Sequence, residues 1–165
     1  MHIRLEQPGE EPALHALTYA AFKPMSFSDN SEADRLEILR RDGDLTLSLV
    51  AVDDDGDVIG HAAFSPATIG AETEGWYGLG PISVRPDRQR SGVGSALINE
   101  GVARLKTLGA KGCVLTGSPD YYNRFGFVAD TDVTYLDVPG KFVQWVAFDG
   151  STPIGEVRFS DGLQE

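Results

Sequence analysis

A turn with two closely spaced glycines joins a strand-like segment to a helix-like segment at residues 84–101, "VRPDRQRSGVGSALINEG". Gly92 and Gly94 have no Cβ, so the backbone at these positions can approach an anion closely. The first amides of the following helix have no partners within the helix and lie at the positive end of its dipole. Amides placed in this way bind a pyrophosphate without any lysine. The turn therefore predicts an anion site, and Arg88 and Arg90 add positive charge near its rim.

Two well-known glycine loops do not fit this turn. The P-loop of nucleoside triphosphatases needs a Lys and then a Ser or Thr directly after its last glycine, and this pair is absent here. The dinucleotide-binding loop needs a third glycine three residues after the second, but position 97 is Leu. What remains is the pattern Gln-x-x-Gly-x-Gly at residues 89–94, and an ordinary strand-to-helix turn stays open as the alternative.

Two segments of the chain resemble the Gcn5-related N-acetyltransferases (GNAT). In "PISVRPDRQRSGVGSAL" (81–97) a strand ending in Val precedes a Gln/Arg-x-x-Gly-x-Gly loop, as it does in that family. In "GSPDYYNRFGF" (117–127) the family's Tyr-x-x-x-Gly-Phe pattern is filled by Tyr122, Gly126 and Phe127. "VIGHAAFSPATI" and the doubled tyrosine are similar to one bacterial branch of the family. The resemblance covers roughly residues 3–130 in element order and is most specific from 81 to 127.

The resemblance implies that the anion is the pyrophosphate of acetyl-coenzyme A (acetyl-CoA), which would be a co-substrate. It implies that backbone amides from Arg90 to Ser95 bind the pyrophosphate and that the strand before the turn binds the pantetheine arm as an added strand would. Pro86 lacks an amide donor and is expected to end the strand pairing. The expected cofactor-binding residues are Ile82, Ser83, Val84, Gln89, Arg90, Ser91, Gly92, Val93, Gly94 and Ser95.

The resemblance also implies a catalytic residue. Tyr122 occupies the family position whose hydroxyl often protonates the departing thiolate of coenzyme A (CoA), and a thiolate leaves more readily when a proton donor is within reach. The alternative is that Tyr122 only stacks or packs. Tyr121 and Phe125 are four residues apart on one helix face, so Tyr121 is expected to be a packing residue.

The acceptor amine must lose a proton before it attacks, and the sequence does not identify the base. His61, Glu72 and Glu74 are candidates, but a histidine within a strand and glutamates beside a strand are each more often structural. A chain of water molecules is the other route for the proton. Cys113 lies in an apolar strand-like run and is expected to be an inert buried thiol, so no covalent acyl-enzyme is predicted.

The composition limits the partners. The chain has 14 Lys and Arg against 25 Asp and Glu, a net charge of −11, which opposes binding to nucleic acid. The same charge is compatible with a cationic substrate or simply with a soluble surface. No apolar run is long enough to span a membrane, the N-terminus lacks a signal-peptide core, and one cysteine suits a reducing compartment, so we expect a cytoplasmic protein. No metal site is predicted, because three histidines and one cysteine form hardly any ligand cluster and the aspartates at 53–57 lack the rest of a calcium loop.

The pattern of elements predicts one domain over residues 1–165. Strand signals at 3–7, 45–53, 57–69 and 76–84 precede a helix from about Ser95 to Leu108, and "GCVLTG" (112–117) is a short buried strand. Helices are expected at 9–22 and 31–43, and late strands in "TYLDVP", "FVQWVAFD" and "GEVRFS". The strand "FVQWVAFD" is apolar on both faces, which indicates packing, a border of the acceptor pocket or a homodimer contact. The fold class is therefore mixed α/β, with a mostly antiparallel central sheet flanked by helices.

The resemblance implies an N-acetyltransferase that transfers acetyl from acetyl-CoA to a primary amine, expected to belong to a small molecule, in a direct ternary complex. Two alternatives stay open. One is a non-catalytic acyl-CoA-binding or regulatory domain on the same fold. The other is transfer of a longer acyl group, or transfer to a protein amine.

Overall fold

The computed structural model describes the whole chain from Met1 to Glu165. The strands are β1 (His2–Leu5), β2 (Leu47–Val52), β3 (Val58–Ile69), β4 (Glu72–Val84), β5 (Gly112–Thr116), β6 (Val133–Thr134), β7 (Val143–Ala147) and β8 (Gly155–Phe159). The helices are α1 (Glu11–Phe22), α2 (Glu32–Arg41), α3 (Val93–Thr107) and the single turn α4 (Pro119–Tyr122). Short 3₁₀ helices cover Pro86–Arg88, Asn123–Phe125 and Gly140–Phe142. None of the four α-helices is long and apolar enough to cross a membrane.

The strands form one sheet in the order β1-β2-β3-β4-β5-β7, with β8 paired to β3 and β6 paired to β8. All of these pairs are antiparallel except β4–β5 and β6–β8. The parallel β4–β5 pair needs a crossover connection, and α3 supplies it. The prediction of a mixed, mostly antiparallel sheet flanked by helices is confirmed.

Strands β4 and β5 separate in the middle of the sheet. Their pairing begins at Trp76 with Gly112 and ends at Gly78 with Val114. Strand β4 nevertheless continues to Val84, held on its other side by β3. From residue 79 onward one edge of β4 therefore has no neighbouring strand, and the sheet opens into a cleft.

Apolar side chains cover both faces of the sheet. On one face α3 buries Leu97, Ile98 and Leu105, and a Cβ at Gly101 would collide with the ring of Phe64 beneath it. On the other face α1 and α2 pack Leu14 and other leucines against β2. Because the chain passes from the free end of β4 into α3, the first turn of α3 faces the cleft.

Several sequence-based boundaries differ from the structure; the strand predicted from residue 76 already begins at Glu72. The helix predicted from about Ser95 begins at Val93, after Gly92 in the left-handed conformation as its N-cap. The segment "TYLDVP" (134–139) is predicted to be a strand, but the strand there, β6, comprises only Val133 and Thr134. Leu136 then adopts φ 44°, which is incompatible with a continuing strand.

Candidate functional site

A cavity of about 580 Å³ lies at the free edge of β4, between the end of α1, the glycine turn and α4. Its walls thus come from four separate parts of the chain. The lining residues are Ala21, Phe22, Met25, Ile82, Val84, Gln89, Arg90, Gly92, Gly94, Ser95, Tyr121 and Arg124.

The glycine turn presents unpaired amides to this cavity. Gly92 is the N-cap of α3 with φ 89°, a left-handed conformation that favours glycine. The first bond of the helix ladder runs from the amide of Ala96 to the carbonyl of Gly92, at 3.0 Å. The amides of residues 93–95 therefore have no partner within the helix, and the positive end of its dipole lies where an anion would bind.

The second glycine of the turn is required for a different reason. Gly94 has ordinary helical geometry, but a Cβ there would lie 2.9 Å from the hydroxyl oxygen of Tyr121. A Cβ at Gly92 would meet nothing within 4 Å, so only its backbone conformation demands glycine. Gly94 thus keeps open the narrow space between the first turn of α3 and α4.

A buried carboxylate supports the turn from outside the cavity. Asp53, in the β2–β3 turn, is 7% exposed. Its Oδ1 accepts hydrogen bonds from the amides of Asp55 and Asp57 at 3.0 and 2.9 Å, and its Oδ2 accepts one from Nη2 of Arg88 at 2.9 Å. The hydrogen bonds from the amides of Asp57 and Asp55, together with the positive charge of Arg88, hold the pKa of Asp53 below its ordinary value. Asp53 therefore remains charged near neutral pH and ties the loop before Gly92 to the sheet.

We expect Asp53→Asn to weaken acetyl-CoA binding about 3- to 10-fold, because Arg88 would lose its charged partner and the loop that holds the turn would become mobile. Isothermal titration calorimetry with acetyl-CoA measures the change. Asp54→Asn is the matched control, since Asp54 is an exposed neighbour that pairs only with the N-terminal amine. Equal affinities for wild type and Asp53→Asn would contradict this role.

The two adjacent tyrosines of α4 lie in different surroundings. Tyr121 lines the cavity, and its ring also packs edge-on against Phe125 at 5.5 Å. Tyr122 is not among the lining residues; its ring centroid lies 4.9 Å from that of Tyr121 and 5.9 Å from that of Phe127. Burial raises the pKa of Tyr122 well above its ordinary value, so its hydroxyl stays protonated, as a proton donor requires.

The candidate bases lie away from the cavity. His61 is fully buried, its Nε2 is 2.7 Å from the hydroxyl of Ser48, and burial lowers its pKa to about 4. Glu72 and Glu74 lie within β4 and not before it, and Glu72 pairs with Lys111 at 3.2 Å. Glu74 lines a second cavity of about 520 Å³ near the start of β4. No histidine, aspartate or glutamate lines the cavity at the glycine turn.

Cys113 is fully buried within β5. Burial raises the pKa of its thiol to about 12, so the thiol is neutral at physiological pH. A buried neutral thiol is not placed to attack a thioester in the cleft.

The structure brings most of the predicted cofactor-binding residues to the cavity by their side chains or by a glycine. These are Ile82, Val84, Gln89, Arg90, Gly92, Gly94 and Ser95. Ser83 and Val93 have buried side chains, and the hydroxyl of Ser91 donates to the carbonyl of Arg88. The backbone groups of these three residues are therefore what they offer to a ligand.

Sequence reasoning missed part of the wall. Ala21 and Phe22 from α1 carry no signal beyond helical periodicity, and Arg124 occupies a variable position of the Tyr-x-x-x-Gly-Phe pattern. Met25, in the loop after α1, also belongs to the lining. The late strand β7, by contrast, pairs with β5 and contributes nothing to the cavity.

Comparisons with known proteins agree on one family. The family model described as "Acetyltransferase (GNAT) family" matches residues 13–127. The uncharacterized N-acetyltransferase YhbS of Escherichia coli K12 is 40% identical over 127 residues, covering 77% of this chain and 73% of that protein. The uncharacterized N-acetyltransferase YjhQ of the same strain is 34% identical over 106 residues, covering 62% of this chain and 58% of that protein.

Two solved structures match nearly the whole chain. A GNAT family acetyltransferase from Brucella melitensis in complex with acetyl-CoA has a TM-score of 0.87 and 44% identity, covering 99% of this chain and 97% of that one. YhbS from Escherichia coli in complex with CoA has a TM-score of 0.86 and 33% identity, covering 98% and 90%.

Proposed function

This chain belongs to the GNAT family of acetyltransferases, and from this premise we propose that it transfers the acetyl group of acetyl-CoA to a primary amine in a direct ternary complex. The observation that carries the proposal is the continuity of one cavity from the free edge of β4 to the unpaired amides of the glycine turn. The solved relatives that hold acetyl-CoA and CoA support it.

The donor binds along two neighbouring features of the cavity. The amides of residues 93–95 and the turn before them bind the pyrophosphate, with Arg90 beside it. The free edge of β4 at Ile82–Val84 hydrogen-bonds the amides of the pantetheine arm, as an added strand would. The side-chain amide of Gln89 donates to the carbonyl of Val84 at 3.2 Å and so connects the glycine turn to the end of this edge. The thioester then lies deeper along β4, where the two strands begin to separate.

The reaction follows from this placement. The neutral amine attacks the thioester carbonyl carbon, a C–N bond forms and the C–S bond breaks. We assign the proton that the departing thiolate takes up to Tyr122, which fills the family's acid position and regains a proton from solvent; its ring lies 4.9 Å from that of Tyr121, outside the cavity lining, so this role rests on the family resemblance. The proton lost by the amine passes to water, since no carboxylate or imidazole lines the cavity.

The acceptor is a small-molecule amine that reaches the thioester past the apolar end of α1. Ala21, Phe22 and Met25 form this wall, and they contribute no charge to it. The acidic residues that give the chain its net charge lie elsewhere, so the composition is not a guide to the acceptor.

Release of free thiol from acetyl-CoA in the presence of an amine panel tests the proposal. We expect at least one amine to raise the rate of thiol release above that of hydrolysis, with a product heavier by one acetyl group in mass spectrometry. Parallel assays with propionyl- and succinyl-CoA identify a preference for longer acyl groups.

A second candidate function is a non-catalytic acyl-CoA-binding domain, favoured by the absence of a base from the cavity lining. It predicts that acetyl-CoA raises the melting temperature while no amine releases thiol. Failure of acetyl-CoA to bind at all would contradict both functions.

A further inference from the structure

The cavity is positively charged within an acidic protein. Arg90 and Arg124 are the charged residues of its lining, and neither forms an ion pair with a carboxylate. The neighbouring Arg85 and Arg88, which do not line it, are paired with aspartates at 2.6 and 2.9 Å. A concave site with uncompensated cations concentrates anions. The two arginines that line the cavity are therefore available to bind an anionic ligand.

The two arginines approach the cavity from different walls. Arg90 belongs to the glycine turn itself, so it serves the same anion as the unpaired amides. Arg124 is carried by the 3₁₀ helix after α4, and its guanidinium carbon lies 4.8 Å from the centroid of the Tyr121 ring. The hydroxyl of that same ring lies 2.9 Å from the Cβ position of Gly94. The Tyr121 ring therefore lies next to both Arg124 and the first turn of α3.

The cation–π contact with Tyr121 also restrains Arg124. A guanidinium held over an aromatic ring still has N–H donors for a ligand, in a planar fork that fits a phosphate. Stacking reduces the side-chain freedom that binding would otherwise remove. Arg124 is therefore prepared to bind a second phosphate group close to, but distinct from, the one on the turn.

Coenzyme A carries such a group, because its ribose bears a 3′-phosphate apart from the pyrophosphate. We propose that Arg124 binds this 3′-phosphate and so makes the protein prefer CoA to 3′-dephospho-CoA. The inference rests on the proposed function, since it assumes that CoA occupies the cavity. It goes further by naming the residue that recognises the nucleotide end of the donor.

The experiment measures dissociation constants by isothermal titration calorimetry for CoA and 3′-dephospho-CoA, with wild type and Arg124→Gln. We expect wild type to prefer CoA by about 10-fold or more, as a charge-assisted bond to phosphate provides. We expect Arg124→Gln to lose this preference by binding CoA more weakly, while its affinity for 3′-dephospho-CoA changes less than about 2-fold.

The control is Lys141→Gln. Lys141 is also an exposed cation over an aromatic ring, 5.0 Å from the centroid of Phe142, but it lies outside the cavity and should leave the preference intact. Thermal melting shows whether each variant folds, and Arg124→Lys, which keeps the charge, should retain part of the preference. Equal weakening of both ligands, or no change with either, would overturn the assignment of Arg124. If wild type bound neither ligand, the proposed function itself would fail, and this inference with it.

Discussion

Replacing Gly94 with valine should weaken acetyl-CoA binding at least about 100-fold while the protein stays folded. The new Cβ would lie 2.9 Å from the hydroxyl of Tyr121, and the branched side chain would occupy the space through which the pyrophosphate reaches the amides. Losing two charge-assisted hydrogen bonds of about 1.5–3 kcal/mol each accounts for this loss or more. Calorimetric titration with acetyl-CoA measures it, and thermal melting checks the fold.

The folded state should tolerate this change because Gly94 has ordinary helical geometry, in the first turn of α3. Gly140→Val is the matched control: Gly140 is exposed, its Cβ would meet nothing within 4 Å, and it lies outside the cavity. We expect the control to bind acetyl-CoA as wild type does. If Gly94→Val bound acetyl-CoA with wild-type affinity, the turn would not be the pyrophosphate site.

The second large effect concerns the proton that the departing thiolate needs. We expect Tyr122→Phe to lower kcat about 100-fold, within the range that positioned general acids contribute, and to leave the dissociation constant of acetyl-CoA within about 2-fold. The ring and its contacts with Tyr121 and Phe127 are retained, so only the hydroxyl is lost. Steady-state thiol release with the best amine measures kcat.

Two other tyrosines make this test specific. Tyr135→Phe removes a buried hydroxyl that accepts the amide of Glu165 at 2.6 Å, away from the cavity, and should leave kcat unchanged. Tyr121→Phe removes the hydroxyl that faces Gly94, so it should alter acetyl-CoA affinity more than kcat. The opposite result, with kcat lost in Tyr121→Phe and kept in Tyr122→Phe, would assign the acid role to Tyr121.

Much of the donor side of the site follows from local sequence. A glycine pattern followed by an amphipathic helix specifies a turn with free amides, because helix initiation and glycine conformations are local properties. The family resemblance then named the cofactor, and the order of strands and helices indicated the fold class. Each motif and element behind these inferences is a local stretch of the chain, and only their order had to be added.

Other features depended on contacts between distant segments. Asp53 and Arg88 are 35 residues apart, and nothing in the aspartate-rich turn showed that one carboxylate would hold the glycine loop. His61 was a plausible base by its residue type, yet strand pairing buries it against Ser48. Tyr121 was expected to pack, and it both packs and lines the cavity.

The sequence by itself therefore determined the kind of turn, the class of the sheet and the family. The tertiary structure decided where the sheet opens, which tyrosine lines the cavity and which arginines remain unpaired. The physical reason is that a turn depends on the conformations of a few adjacent residues. The charge and shape of a cavity depend instead on which segments fold against one another.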